Sequence, residues 1–211
     1  MYLTRIELDT GRRSTMKALT NPNLLHGAVE AAFAQPRSHA LWRIDRFQGR
    51  YYLMLLSENK PDCTAITTQF GCHDIDPETR DYAALLHRIV PGSKWHFRLV
   101  ANPTYSNGSE KSKGVRGAVH AHRTPAHQRS WLLRQSEKHG FSIQEDDFDV
   151  VKNQWFQFYK AKNRKITLLS VTYEGILTVT DPDAFRNLLC HGIGRGKAYG
   201  QGLLTLVSCH G

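Results

Sequence analysis

The chain has 211 residues and a formal net charge of +9, with a sequence pI of about 9.5. This length suits one large domain or two small ones, and the charge favours a polyanionic partner, either a nucleic acid or an anionic membrane surface. The sequence contains no Cys-x-x-Cys pair and no apolar run near the roughly 18 residues that span a bilayer, so we predict a cytoplasmic protein with reduced thiols.

The first predicted elements are a strand and a helix near the N-terminus. Residues 2–8 alternate as a strand does, and one face consists of Tyr2, Thr4, Ile6 and Leu8. Asn21 can cap a helix, and Pro22 suits its first position because proline has no N–H to leave unbonded there. The expected apolar stripe of this first helix consists of Leu24, Leu25, Ala28, Val29, Ala32 and Phe33.

The next elements complete a β-α-β-β-α-β order. Residues 39–47 and 50–57 predict two strands that Gln48-Gly49 joins as a hairpin. Residues 64–70 predict a short helix, residues 71–93 give no clear pattern, and the alternating residues 94–101 predict a strand. This order is typical of a ferredoxin-like domain, which we place at residues 1–103.

A connector and a second unit are predicted to follow. Residues 104–123 are basic and contain glycine, as flexible loops do. Thr124-Pro125 predicts a helix that ends at Gly140, and residues 149–159 and 166–179 predict a hairpin. Asp181-Pro182 predicts a last helix, before a strand over 201–207. Because this second unit, at 124–211, is an incomplete version of the first, we predict an α+β fold with two tandem ferredoxin-like (RRM-like) domains.

A glycine-rich loop precedes the last predicted strand. It contains five glycines within eleven residues, with Arg195, Lys197 and Tyr199 between them: Gly192, Gly194, Gly196, Gly200 and Gly202. Glycine lets backbone N–H groups approach an anion closely, and a lysine among glycines suggests phosphate. The spacing matches neither nucleotide-binding glycine motif. The loop therefore contacts a phosphate of a polymer or of a differently built site, or it is a flexible surface loop.

One histidine is a candidate for acid–base chemistry. His26 lies one turn inside the first predicted helix, among its apolar residues. A histidine there is either structural or a general acid–base catalyst, for which the ordinary imidazole pKa of about 6.5 is well suited. RNA cleavage needs little else, because the 2′-hydroxyl beside the scissile phosphate is a built-in nucleophile.

Two basic sets are candidates for RNA binding. The turn of the second hairpin carries Lys160, Lys162, Arg164 and Lys165, which are either solvated charges or the tip of a hairpin that enters a nucleic-acid groove. Four aromatic residues flank this turn, and we expect some to stack on a base and some to lie in the core: Trp155, Phe156, Phe158 and Tyr159. The second set is on the connector and consists of Lys111, Lys113, Arg116 and Arg123.

A metal site has weak support. His120 and His122 would point to one side of a strand, with His127 nearby, but no carboxylate or cysteine stands at a matching interval. The sequence also lacks the carboxylate cluster that a two-metal nuclease needs. We therefore expect no metal and no cofactor.

Several motifs in combination point to one family. They are Met1-Tyr-Leu-Thr4, Phe97-Arg-Leu-Val-Ala-Asn-Pro103, Thr124-Pro125 before Trp131-Leu132, Tyr173-Glu-Gly-Ile-Leu-Thr-Val179 and the glycine-rich loop before Leu203-Leu204. Together they resemble the CasE (Cse3) family, the CRISPR RNA-processing endoribonucleases of type I-E systems, over nearly the whole chain. The resemblance implies two ferredoxin-like domains that bind the stem-loop of the CRISPR repeat. It also implies metal-independent cleavage at the 3′ base of the stem, which leaves a 2′,3′-cyclic phosphate.

The resemblance also assigns site residues. The family's catalytic histidine ends a Tyr-x-x-His pattern on the first helix, and His26 matches it. Asn23 stands at the tyrosine position and can donate a hydrogen bond but cannot act as an acid or base, so Asn23 and Lys17 are supporting candidates. By resemblance the hairpin cations grip the stem, and the glycine-rich loop frames the RNA site. Arg98 in the family-like strand is a further RNA-binding candidate.

The partners follow from the same resemblance. We expect the protein to bind the repeat stem-loop and to stay on the guide RNA within Cascade, chiefly beside the backbone subunit at the 3′ end. The alternative function is a non-catalytic RNA-binding scaffold subunit of Cascade, and Asn23 is the feature that favours it.

Overall fold

The computed structural model describes residues 1–34, 40–106, 118–160 and 164–209. Its helices are α1 (Arg13–Thr20), α2 (Pro22–Ala31), α3 (Thr64–Phe70), α4 (Ala83–His87), α5 (Pro125–Lys138) and α6 (Pro182–His191). Its strands are β1 (Tyr2–Leu8), β2 (Leu41–Phe47), β3 (Arg50–Ser57), β4 (Glu78–Asp81), β5 (Lys94–Ala101), β6 (Thr104–Ser106), β7 (Val119–Ala121), β8 (Phe141–Ser142), β9 (Phe148–Lys160), β10 (Arg164–Val179) and β11 (Leu204–Ser208). Within the described residues, no helix combines the length and apolarity needed to cross a bilayer.

The first sheet has the ferredoxin-like strand order β2-β3-β1-β4, with antiparallel neighbours. Thr4, Ile6 and Leu8 are buried, as the alternation in β1 predicts. The β2–β3 turn is also as predicted, because Gln48 (φ 49°) and Gly49 (φ 81°) both adopt the left-handed conformation that a two-residue hairpin turn requires. Helices α1, α2 and α3 contribute to a core on one face of this sheet.

Two helices, where the sequence predicts one, connect β1 to β2. The unpredicted α1 buries Thr15 and Ala18. The predicted cap of α2 is present, since the Asn21 side chain accepts a hydrogen bond from the Asn23 N–H at 3.2 Å. Leu24, placed in the apolar stripe, is 41% exposed. Its neighbour Leu25 is buried, because successive helical residues point about 100° apart and the sheet lies on the Leu25 side.

The second sheet has the order β11-β5-β10, and β8 and β9 both pair with β10. Strand β5 pairs along its whole length with β10, so it belongs to this sheet, and the predicted place of residues 94–101 in the first unit is wrong. Strand β4 takes its place in the first sheet. With β5 as its first strand, the second unit has a complete ferredoxin-like order. We therefore move the predicted boundary between the two domains from residue 103 to the segment between α4 and β5. The residue limits of the domains stay a prediction.

The ends of the predicted connector are paired strands. Thr104 lies opposite Ala121 and Ser106 opposite Val119, so these ends form a two-stranded ladder where the sequence indicates a loop. Lys111, Lys113 and Arg116 of the connector lie outside the described residues. The long hairpin also extends further than predicted, because Arg164 pairs with Lys160 at its end.

Helices α5 and α6 pack on one face of the second sheet, where Trp131 and Phe185 contribute to its core. The other face of this sheet is turned toward the first unit, and Arg43 of β2 joins the two. Its guanidinium donates to both carboxylate oxygens of Asp45, at 2.8 and 2.7 Å. It also donates to the carbonyls of Arg98 (2.8 Å) and Leu203 (3.0 Å) and to the Thr205 hydroxyl (2.8 Å). All five guanidinium N–H groups are thus bonded, which suits a side chain that is almost fully buried.

Candidate catalytic histidine and nucleic-acid interface

His26 lies where the two units meet. It is half-buried on α2, and its ring meets that of Tyr199 edge-on, with 6.1 Å between the ring centroids. Tyr199 also meets Phe158 of β9 edge-on, at 4.9 Å. The histidine of the first unit, the glycine-rich loop and the long hairpin are therefore neighbours, although they are far apart in sequence.

The glycine-rich loop is packed against the first unit. All five of its glycines have φ between +70° and +89°, which side chains rarely adopt. A Cβ at Gly200 would lie 2.7 Å from the Trp42 ring, and one at Gly202 would lie 2.5 Å from the Ile193 carbonyl oxygen. Gly200 and Gly202 are buried. The alternative interpretation, a flexible surface loop, is therefore wrong for this part of the segment. These two glycines allow close backbone packing.

Lys197 is engaged within the protein. Its ammonium group donates to the His191 carbonyl at 2.6 Å, at the C-terminal end of α6 where helix carbonyls lack partners inside the helix. Partial burial lowers the pKa of Lys197. Lys197 therefore stabilises the helix end in this structure, and its predicted contribution to the RNA site stays a prediction.

A cavity of about 560 Å³ lies between α1 and α2 of the first unit and the β9–β10 face of the second. Tyr199 forms part of its wall. In the described part of the chain its lining has no carboxylate, and it has four cations: Arg43, Arg46, Arg98 and Lys152. Since Arg43 and Arg98 are paired with acidic side chains, Lys152 and Arg46 supply the uncompensated charge. Cations beside aromatic rings suit a phosphodiester chain with unpaired bases.

The supporting candidates have different positions relative to His26. Asn23 is three residues before His26, so the two side chains lie on the same side of α2. Lys17 is exposed on α1, and its carbonyl accepts the Asn21 N–H at the junction of the two helices. The structure brings Tyr199 to His26, and sequence reasoning did not single out Tyr199 for chemistry. Nothing local in the sequence signals this contact, because it depends on how the loop packs against α2.

The end of the hairpin presents cations and aromatic rings. Arg164 and Lys165 are exposed, whereas Lys162 and the side chain of Lys160 lie outside the described residues. The flanking aromatic residues divide as expected. Phe158 is buried and Phe156 lines the cavity, while 48% of Trp155 and 61% of Tyr159 are exposed. The exposed rings alternate with the buried ones because successive strand residues face opposite sides of the sheet.

Two other predicted RNA-binding residues are also located. Arg98 forms ion pairs with Asp45 (3.1 Å) and Glu174, so its charge is compensated in place. Arg123 is exposed just before α5, and its carbonyl accepts a hydrogen bond from Gln128. Contact of Arg98 or Arg123 with RNA stays a prediction.

The predicted histidine cluster is present beside Tyr105. The Tyr105 ring is 5.6 Å from that of His120 and 4.9 Å from that of His122, so both imidazoles lie on one side of β7. His127 is 5.7 Å from His122. Burial, and then the charge of Arg134, lowers the pKa of His122. Across the described ranges, no three His, Cys, Asp or Glu side chains are arranged to hold a metal ion.

The fold and the site together define a protein of two ferredoxin-like domains, with a cationic cavity and a histidine at their junction. The chain belongs to the family described as "CRISPR associated protein", whose model matches residues 1–207. It is 29% identical over 226 residues to the "CRISPR-associated endoribonuclease Cse3" of Thermus thermophilus, an alignment that covers 98% of this chain and 100% of that protein. It is 27% identical over 161 residues to the "CRISPR system Cascade subunit CasE" of Escherichia coli, which covers 74% of each.

Solved structures agree with these relatives. A structure of "CRISPR endoribonuclease Cse3 bound to 19 nt RNA" has a TM-score of 0.81 and 26% identity, and the match covers 98% of this chain and 100% of that one. Thermus thermophilus Cse3 "bound to an RNA representing a pre-cleavage complex" has a TM-score of 0.80 and 25% identity, with 98% of each chain covered. The resemblance to the CasE (Cse3) family and the fold of two ferredoxin-like domains are confirmed.

Proposed function

We propose that this protein is a metal-independent endoribonuclease that processes CRISPR precursor RNA at the 3′ base of the repeat stem-loop. The observation that carries the proposal is His26, a half-buried imidazole at the junction of the two units, whose ring meets that of Tyr199 on the wall of the cationic cavity. The relative at 29% identity is named an endoribonuclease, and a neighbour at 25% identity is a pre-cleavage RNA complex, which supports RNA binding and processing.

The reaction that we propose uses the RNA's own nucleophile. The 2′-hydroxyl loses its proton and its oxygen attacks the adjacent phosphorus. The bond from phosphorus to the 5′-oxygen breaks, and that oxygen takes up a proton. The products are a 2′,3′-cyclic phosphate and a free 5′-hydroxyl. His26 transfers a proton at one of these two oxygens, and cations stabilise the charge on the phosphorane.

The same proposal includes how the protein binds the RNA stem and which subunits it assembles with. The exposed Arg164 and Lys165 at the hairpin end contact the phosphates of the stem, and Trp155 or Tyr159 stacks on an exposed base. The protein remains on the cleaved RNA as a subunit of Cascade, as the name of its 27% identical relative suggests.

The second candidate is an RNA-binding scaffold subunit without cleavage activity. Asn23 favours it, because an amide beside His26 on α2 cannot exchange a proton with the RNA. This candidate shares the RNA-binding surface and the Cascade partner with the first, so binding experiments alone do not separate the two.

Incubation with the cognate CRISPR repeat RNA in EDTA tests the proposal. We expect one cut at the 3′ base of the stem, a 2′,3′-cyclic phosphate on the upstream product, and no cut when the nucleotide before the scissile phosphate is 2′-deoxy. RNA that is bound but stays intact would support the scaffold. Cleavage that requires added Mg²⁺, or that persists on the 2′-deoxy substrate, would contradict the reaction proposed above.

A further inference from the structure

Tyr199 is held rigidly from both sides. It ends the one-turn 3-10 helix Lys197–Tyr199, which lies between Gly196 (φ 86°) and Gly200 (φ 75°). Its N–H donates to the Gly196 carbonyl at 2.8 Å, and its own carbonyl accepts from the Gln201 side chain at 3.2 Å. Its backbone is therefore fixed by hydrogen bonds on both sides of the residue.

The Tyr199 ring stands between two other rings. It meets His26 edge-on at 6.1 Å and Phe158 edge-on at 4.9 Å, with interplanar angles of 69° and 64°. Edge-to-face contacts at these distances are favourable geometries for aromatic rings. Phe158 is 3% exposed, so it is a fixed support behind Tyr199. The imidazole of the first unit thus rests against a ring that the second unit fixes in place.

The orientation of His26 is important for the proposed reaction. A proton donor or acceptor must come within hydrogen-bond reach of the oxygen that it serves, and a misplacement of about 1 Å can cost about 100-fold in rate. Asn23 is on the same side of α2 and has no ring to hold an imidazole. The described contact that restrains the imidazole ring comes from Tyr199, in the other domain.

We propose that Tyr199 is a positioning residue for His26: its ring holds the imidazole in the orientation in which His26 transfers a proton during RNA cleavage. This inference rests on the proposed function. It makes the chemistry depend on the junction of the domains, because the ring that orients the histidine of one unit is fixed by the loop and hairpin of the other.

Single-turnover cleavage and RNA affinity, measured for Tyr199→Leu and Tyr199→Phe, test the inference. We expect Tyr199→Leu to lower the cleavage rate at saturating protein about 10- to 100-fold, a loss that a change in Kd does not explain because all of the RNA is bound. Tyr199→Phe keeps the ring and should cleave within about twofold of the wild type, because the ring and not the hydroxyl does the positioning. The matched control is Tyr52→Leu, a half-buried tyrosine on the lining of a different cavity.

Two further measurements separate positioning from a loss of stability. In a His26→Ala background, Tyr199→Leu should have no additional effect on the rate, since its influence passes through His26. The NMR signals of the His26 ring in the folded Tyr199→Leu variant should shift and broaden, because the imidazole loses its restraint. If Tyr199→Leu does not fold, Phe158→Leu is the second variant: it keeps Tyr199, removes the ring behind it and should lower the rate by a smaller factor at unchanged Kd.

Several results would overturn the inference. One is a wild-type cleavage rate in folded Tyr199→Leu, and another is a rate in Tyr199→Phe that falls as far as in Tyr199→Leu. The others are a further fall in the rate when Tyr199→Leu is added to His26→Ala, and unchanged NMR signals of the His26 ring in Tyr199→Leu. A wild-type protein that does not cleave at all would instead refute the proposed function. The NMR comparison alone would then report whether Tyr199 restrains His26.

Discussion

The two halves of this molecule repeat one topology and turn different faces of it toward their junction. In the first half, α1 and α2 line the cavity together with residues of β2 and β3, and His26 is on α2. In the second half the open face of the sheet lines it, while α5 and α6 pack behind. A helical layer of the first half therefore carries His26, the residue proposed to transfer a proton, while β2 of the first half and the open sheet face of the second half both contribute cations. A duplicated fold can therefore form one site when different faces of its two copies meet.

The largest expected effect separates the chemistry of the first half from the binding of the second. We expect His26→Ala to lower the single-turnover cleavage rate about 10²- to 10⁴-fold, because the proposed reaction uses the imidazole for proton transfer. The Kd for repeat RNA should be unchanged. The matched control is His96→Ala, an exposed histidine on the lining of the other cavity. Cleavage by His26→Ala at the rate of the control would place the chemistry elsewhere.

The second prediction concerns the contact that joins the halves. Arg43→Met should lower the free energy of unfolding by about 3 kcal/mol, because it leaves two backbone carbonyls without their buried donor and removes one of the two arginine partners of Asp45. Urea denaturation measures this loss. Arg50→Met on the neighbouring strand removes an exposed partner of Glu7 and should leave the unfolding free energy nearly unchanged. Similar losses in both variants would mean that Arg43 is not the link between the units.

The third prediction tests the packing of the glycine-rich loop. Gly200 and Gly49 both have positive φ, but a Cβ at Gly49 would meet nothing within 4 Å, whereas one at Gly200 would meet the Trp42 ring at 2.7 Å. Gly49→Ala should lower the free energy of unfolding by about 1–2 kcal/mol, because alanine is strained at a positive φ. Gly200→Ala should lower the free energy of unfolding by about 1–3 kcal/mol more than Gly49→Ala does, because its methyl group also overpacks against the Trp42 ring. Equal shifts in Tm would show that the loop does not press on the first unit.

The smallest expected effect concerns the hairpin of the second half. Arg164→Gln with Lys165→Gln should weaken RNA binding and reduce its salt dependence by about one unit of slope per lost phosphate contact. The cleavage rate at saturating protein should be unchanged. Lys94→Gln with Lys138→Gln removes two exposed charges elsewhere and is the control. An unchanged salt slope in the hairpin variant would mean that this hairpin end faces solvent in the complex.

Features that depend on neighbouring residues could be predicted from the sequence. The Thr124 hydroxyl accepts from the His127 N–H and so begins α5, and Asp181 caps α6 in the same way. Gln48-Gly49 joins β2 and β3 as the predicted hairpin turn. Each of these signals is local, because a cap or a tight turn is satisfied within three or four residues.

Features that depend on distant partners could not be predicted in this way. The alternation of β5 indicates a strand and its buried face but not its neighbours, so the sequence alone predicts the wrong sheet for β5. For the glycine-rich loop the sequence leaves both a phosphate-contacting loop and a flexible surface loop open, because glycine permits both. Its packing on Trp42 depends on a residue from the other half of the chain.

The amino-acid sequence alone indicates the α+β class, the starts of α2, α3, α5 and α6, the hairpins, the family resemblance and His26 as the candidate for chemistry. Only the tertiary structure decided that β5 completes the second domain, that Arg43 links the two units and that Tyr199 lies against His26. Helix caps and strand alternation depend on residues that are close together in the sequence, so they can be recognised from the sequence directly. Contacts between domains depend on which faces are buried against each other, and that choice is made by the whole chain as it folds.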